Sequence, residues 1–340
     1  MMDLPGVWAL LENEKSKRHG IVTRRVNPKA PCDVRLGIEK PSNAKLLIVR
    51  VLSRTLQSDV REFSSAGIEV LTPALPPADS ERTDIAIKLG DDRYLDLFST
   101  LVEDLIRHLS SCTSEAQTGP ALLARLRRWQ ELLKRLGPGG LSQDAQNGLF
   151  AELWFLREYL LPTLGPSRAV PGWTGPEAAN QDFQFGKIAF EVKSSVGQQH
   201  QKMVIASERQ LDDTGLNALV VFFVSLDARP GSEMTLRKLV QSVRDTISTE
   251  PGATELFDAK LLASGYIEAQ SHLYDRISYT VRNSSFFRVT GKFPRVIEHD
   301  LIPGVGDVGY SILVSACSDF LISGSEIETL IREVRRVRRK

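Results

Sequence analysis

The stretch Gln181-Asp-Phe-Gln-Phe-Gly-Lys-Ile-Ala-Phe-Glu-Val-Lys193 decides the fold. Phe183 and Phe185, then Ile188, Phe190 and Val192, recur at the two-residue period of strands with one face in a core. Gly186-Lys187 between the runs suits a two-residue type II′ turn, in which glycine takes the first central position. Such a turn fixes the register, so that Phe185 faces Ile188, Phe183 faces Phe190 and Asp182 faces Glu191. The apolar side chains then share one face, and Asp182, Glu191 and Lys193 share the other. The turn sets this register without reference to the acids, so their convergence is an independent result.

Directly opposed like charges destabilise a sheet unless something compensates. Two carboxylates with Cβ atoms about 5 Å apart raise each other's pKa or recruit a cation. A hard ion such as Mg²⁺ takes oxygen ligands and is often held by one or two carboxylates with water and phosphate. Lys193 projects to the same face, within reach of an attacking water or a phosphate oxygen. Two readings stay open here: a metal site, or a surface hairpin whose acids pair with the lysine. Under the first, alanine at 193 leaves stability nearly unchanged.

Residues 144–161 upstream are apolar nearly all round, the mark of a helix packed on several sides, and Pro162 is expected to stop it. Glu152 lies within it among Phe150, Leu153, Trp154, Phe155 and Leu156. Burying that carboxylate is costly unless it meets a cation or metal. The alternative places it on a narrow exposed stripe near Gln146 and Asn147. Downstream, Lys202–Ala206 reads as a short strand, Ser207–Asp213 as a capped helix and Asn217–Leu226 as a buried strand. Ser207 is a natural N-cap, and Gln210 three residues later can complete a capping box. Gln210 can equally turn into the site, and the sequence does not choose.

This order resembles the core of the PD-(D/E)XK nuclease superfamily: a helix with Glu152, a strand led by Asp182, Glu191-Val-Lys193 on the next strand, then a helix with Gln210. Gly148-Leu-Phe-Ala-Glu-Leu-Trp-Phe-Leu156 and Phe190-Glu-Val-Lys-Ser-Ser195 look like a bacterial family called simply "PD-(D/E)XK motif protein", linked to restriction and phage defence. The superfamily resemblance spans about residues 142–226. One departure is Gln181, which stands where the motif has proline. The resemblance implies an α/β (α+β) fold: a restriction-endonuclease-like core of mixed sheet flanked by helices. It implies a Mg²⁺-dependent DNA endonuclease, with Mn²⁺ as a substitute ion. Asp182, Glu191 and the Val192 carbonyl would be metal ligands. Lys193 would orient the nucleophilic water, with Glu152 as the helix acid and Gln210 as the supporting glutamine. Implied partners are DNA and other defence subunits, an ATPase or a methyltransferase. The alternative is a non-cleaving nucleic-acid-binding or scaffold subunit.

Composition sets outer limits. The chain has 340 residues, 42% hydrophobic and 25% charged, with a net charge of +1; this is ordinary for a globular protein and gives no global signal for nucleic acid. No apolar run reaches the roughly 18–20 residues of a membrane span, and no signal peptide is evident at the amino terminus. The three cysteines are scattered without zinc spacing, which fits a reduced, cytoplasmic setting. No GxxxxGK[ST] occurs, so ATP-driven steps would need another subunit. The five histidines form no site, and His200 reads as a solvated loop residue.

A β-rich N-terminal unit is expected over 1–115, with strands at 34–38, 45–52, 67–71 and 84–88 and a proline-rich link at 73–77. Helices at about 93–111 and 120–136 follow. The core with its leading helices is assigned to 116–230, with Gly137-Pro-Gly-Gly140 as the break before its catalytic part. The remainder, 231–340, is a mixed α/β region: helices at about 232–248 and 254–263, strands at 279–281, 286–289 and 310–314, and a final helix at 324–339 with a basic tail. Arg125, Arg127, Arg128, Lys134 and Arg135, and the cluster from Arg332 to Lys340, are candidate phosphate contacts.

Overall fold

Antiparallel strand pairing, mostly between sequence neighbours, builds the first part of the chain. The computed structural model describes all residues except 1–3, 15–18, 27–30, 57–63, 66, 72–80, 136–139, 178, 198–200, 232 and 337–340. The chain divides into two units, Met1–Gly140 and Leu141–Lys340. In the first, helix α1 (Leu4–Glu12) precedes strands β1 (Gly20–Arg25), β2 (Val34–Lys40), β3 (Ala44–Leu52), β4 (Ser64–Ser65), β5 (Ile68–Leu71) and β6 (Arg82–Leu89). They form an antiparallel sheet in the order β1-β2-β3-β6-β5-β4. Helices α2 (Leu95–Ser110) and α3 (Glu115–Arg135) follow and pack on each other.

The expected strands are present, and β1, β4 and α1 are additional. In β1 only Val22 is buried, so an edge strand of this kind carries little periodic signal. Helix α3 starts at Glu115, before the expected position. The Arg82–Glu115 ion pair at 2.7 Å ties down its first turn, and Pro120 is accommodated inside the helix. Arg125 is not a free phosphate contact. Its guanidinium holds buried Asp104 at 2.6 and 2.5 Å, and the Trp129 indole donates to the same carboxylate at 2.7 Å. Arg332 pairs with Glu328 at 3.3 Å. The side chains of Lys134 and Arg135, the end of the basic tail, the link at 73–77, Gly137–Gly139 and His200 lie outside the described residues.

The second unit opens with α4 (Gln143–Phe155), a π-helical turn at Leu156–Leu160, α5 (Leu161–Leu164) and α6 (Pro166–Gly172). Pro162 does not stop the helix: the π turn resets the hydrogen-bond ladder, so Pro162 falls at the start of α5, where its missing N–H costs nothing. Next come β7 (Phe183–Phe185), β8 (Ile188–Val196), β9 (Lys202–Ile205), β10 (Ala218–Pro230), α7 (Leu236–Ile247), α8 (Pro251–Ala263), β11 (Ile277–Arg288), β12 (Tyr310–Leu313), β13 (Leu321–Ile322) and α9 (Gly324–Arg336). The sheet order is β13-β11-β10-β8-β7; β8 and β10 run parallel and the other neighbours antiparallel. This mixed sheet with flanking helices is the restriction-endonuclease-like α/β arrangement that the resemblance implies.

Two details differ from expectation. β9 leaves the main sheet and, among the described residues, pairs only with β12. The two strands expected at 279–281 and 286–289 are one strand, β11, interrupted by a register shift opposite Ser225/Leu226. The polar run Asn283-Ser-Ser285 hides its continuity.

The hairpin pairs as its turn dictates: Phe183 with Phe190 and Phe185 with Ile188. Gly186 takes φ +62° and Lys187 does not take a positive φ, as a II′ turn requires. Neither face of the sheet is open. On one, Phe155 of α4 stands 4.9 to 6.2 Å, centroid to centroid, from the rings of Phe183, Phe190, Phe222 and Phe286. On the other, Ala189, Leu219, Val221 and Phe223 pack with Met203 and Ile205. Among the described residues no helix is long and apolar enough to cross a membrane. Since Phe155 packs on four rings of the sheet and on Tyr159, Phe155→Ala is expected to cost about 3–5 kcal/mol of unfolding free energy. Denaturant titration checks this, and a loss below about 1 kcal/mol would mean that α4 is not fastened to the sheet through this ring.

Candidate functional site

Asp182 precedes β7 and is gripped from both ends. Its backbone carbonyl accepts the N–H groups of Thr174 and Gly175 at 2.8 and 2.9 Å. Its Oδ2 accepts the Val192 N–H at 2.7 Å. The N–H and C=O of one strand residue point to the same edge, so the Val192 carbonyl faces the side on which Asp182 lies. Gln181, in the proline position of the motif, is buried, and its amide donates to the carbonyls of Arg209 and Gln210 at 3.2 and 3.4 Å. It thereby ties the hairpin to the 3₁₀ turn Glu208–Leu211.

Glu191 lies one residue beyond the last pair of the hairpin, Phe183 with Phe190, and is fully buried; among the described residues neither of its carboxylate oxygens has an aligned hydrogen-bond donor. The Lys193 ammonium lies 2.7 Å from its Oε1, an ion pair without hydrogen-bond geometry. Lys193 Nζ donates instead to Gln210 Oε1 at 3.0 Å, and the same oxygen accepts the Ala206 N–H at 2.8 Å. Ser207 does cap the turn by accepting from Arg209 N–H at 3.2 Å. Gln210 does not close a capping box; it turns into the site and fixes the lysine.

Glu152 comes from α4 to the same place rather than to a stripe with Gln146 and Asn147. The indole of Trp173 donates to its Oε2 at 2.6 Å. Gly175 separates the two acids: a Cβ there would stand 2.9 Å from Asp182 Oδ1 and 3.3 Å from Glu152 Oε2. Burial raises the Glu152 pKa well above the ordinary range; the Asp182 charge adds to this, and the Trp173 hydrogen bond opposes it. Burial also raises Asp182, against the pull of Lys193 and the Val192 amide. Glu191 is pushed up to about 8 by burial and by Asp182. Burial alone would lower Lys193, but the charges of Glu191 and Asp182 outweigh it and raise its pKa.

The donor set fits a hard divalent cation. The fully buried Glu191 carboxylate has the Lys193 ammonium at 2.7 Å as its charge partner, and the missing Cβ of Gly175 leaves a cradle between Asp182 and Glu152. Among the described residues no three His, Cys, Asp or Glu side chains form a group placed to hold a metal ion. Two carboxylates and a carbonyl, with the shell completed by water, is the set Mg²⁺ accepts. All six residues singled out in the sequence therefore lie in one place. Three that matter to it, Trp173, Thr174 and Gly175, were not singled out; their signal is the short Gly172-Trp-Thr-Gly175 segment, whose glycines permit close approach. Lys193 also neutralises a buried acid, so its removal will cost stability, contrary to the expectation from sequence.

A folded-state pKa raised above the unfolded value gives stability that is complete at low pH and lost as pH rises through the folded value. Without metal, the protein should therefore melt at a lower temperature at pH 8.5 than at pH 5.5, and Glu191→Gln should reduce that difference. Thermal melts in chelator test this, and equal slopes for both proteins would contradict it. Gly175→Ala keeps an allowed backbone but puts a methyl between the two acids, so Mn²⁺ affinity measured by calorimetry should fall about tenfold or more. Undiminished affinity would remove the cradle from the account.

A family model described as "Putative PD-(D/E)XK family member, (DUF4420)" matches residues 5–315. No curated protein and no solved structure matches the chain. With nearly its whole length matched, and with Asp182, Glu191 and Lys193 grouped as that motif requires, the chain belongs to this PD-(D/E)XK family.

Proposed function

We propose that the chain is a Mg²⁺-dependent phosphodiesterase that cuts DNA internally, with Mn²⁺ as a substitute ion. One observation carries the reading: the fully buried Glu191 carboxylate stands beside Asp182 and Lys193 in the order of the family motif. Asp182, Glu191 and the Val192 carbonyl would hold the ion. When bound, such an ion polarises a phosphate and lowers the pKa of a coordinated water. Lys193, steadied by Gln210, positions the water and meets the charge that develops on phosphate oxygens. Glu152 adds a third acid, available to a second ion or to bound waters. DNA as substrate, a place in a restriction or phage-defence system and ATPase or methyltransferase partners are supported by the family resemblance.

A second reading has one observation in its favour. The Lys193–Glu191 pair at 2.7 Å balances charge without an ion, as a non-cleaving nucleic-acid-binding or scaffold subunit would need. Incubating supercoiled plasmid, linear duplex and single-stranded DNA with Mg²⁺, Mn²⁺ or chelator separates the two. Cutting should require metal, and Lys193→Ala should lower its rate by about 10²–10⁴-fold, assayed well below the variant's melting temperature. Salt-sensitive DNA binding with no cutting by wild type would favour the second reading.

A further inference from the structure

Lys260 sits outside the motif, yet it is 3% exposed and reaches toward the site. It projects from α8, and its ammonium donates to the Pro171 carbonyl at 3.5 Å and to the Trp173 carbonyl. Glu177 Oε1 lies 3.1 Å away as its counter-charge. One turn earlier on α8, Phe257 packs its ring 5.8 Å from that of Trp173. Helix α8 therefore grips Trp173 twice, at its ring and at its carbonyl. From Trp173 the indole goes to Glu152, and the next two amides go to the Asp182 carbonyl. Thr174 Oγ1 adds a hydrogen bond to the Gln181 carbonyl at 2.9 Å.

We propose that Lys260 is a positioning residue that acts through Trp173 to set the spacing between Glu152 and Asp182. A buried ammonium is costly to desolvate, and capping the last carbonyls of α6 would account for it in part. The clamped carbonyl, however, belongs to the residue that orients one acid and leads directly to the amides that orient the other. The proposal rests on the reading of these acids as a metal site.

The test uses the full chain labelled with ¹⁵N in its four tryptophans, with Trp173→Phe assigning the relevant indole resonance. In Lys260→Met the Trp173 indole proton should exchange with solvent at least about tenfold faster, while the indoles of Trp8, Trp129 and Trp154 stay unchanged. Mn²⁺ affinity by calorimetry should fall about tenfold in both variants. The double variant should be no weaker than either single one, because both changes break one chain of contacts. Glu152→Gln, which alters the acceptor without changing packing, should shift the same indole resonance even if a Trp173 variant fails to fold. An unchanged Trp173 indole in Lys260→Met, or equal loss of protection at all four indoles, would overturn the proposal. A wild type that binds no Mn²⁺ would overturn the metal reading alone, and the indole exchange would still decide the clamp.

Discussion

Half-buried Glu152 and Asp182 and fully buried Glu191 all act on the charge of the Lys193 ammonium, and the rest of the second unit has to tolerate that arrangement. A lone buried charge costs several kcal/mol even after relaxation, and three carboxylates exceed what one ammonium offsets. Either protons stay on the acids, which the raised pKa values express, or a cation enters. On the proposed reading the same carboxylates provide both the destabilisation and the metal affinity, with pH deciding between them.

The scaffold keeps the acids from relaxing apart. Phe155 on one side and Met203 with Ile205 on the other cover both faces of the sheet, so β8 cannot tilt to bring Glu191 into solvent. Parallel pairing with β10 holds Glu191 opposite Val221 and Lys193 opposite Phe223. Asp182 is fixed through its carbonyl, its carboxylate and the buried Gln181 amide before it. Close-packed interiors yield little to strain, so the geometry is set before any ligand arrives.

The hairpin was legible in the sequence because its information is local: a Gly186 turn and a two-residue apolar period fix the pairs Phe183–Phe190 and Phe185–Ile188, whereas the expected Asp182–Glu191 pair lies beyond the end of β7. Glu152 was legible as an acid in an apolar helix, although its partner was not, since Trp173 lies 21 positions further on. Gln210 carried two valid local readings, and only the approach of Lys193 decided between them. Lys260 is 87 positions from the carbonyl it holds, and no local pattern encodes such a contact. The errors were of the opposite kind. Pro162 obeyed no local stop rule because a π turn preceded it, and Arg125 looked free because Asp104 sits on another helix.

Whether these acids hold a divalent cation is settled by anomalous X-ray scattering from crystals grown with Mn²⁺. A strong peak bound by Asp182, Glu191 and the Val192 carbonyl is expected, with Lys193 moved off Glu191. No peak there, with the Lys193–Glu191 pair intact at saturating Mn²⁺, would contradict the metal reading and leave the hairpin as a salt-bridged structural element.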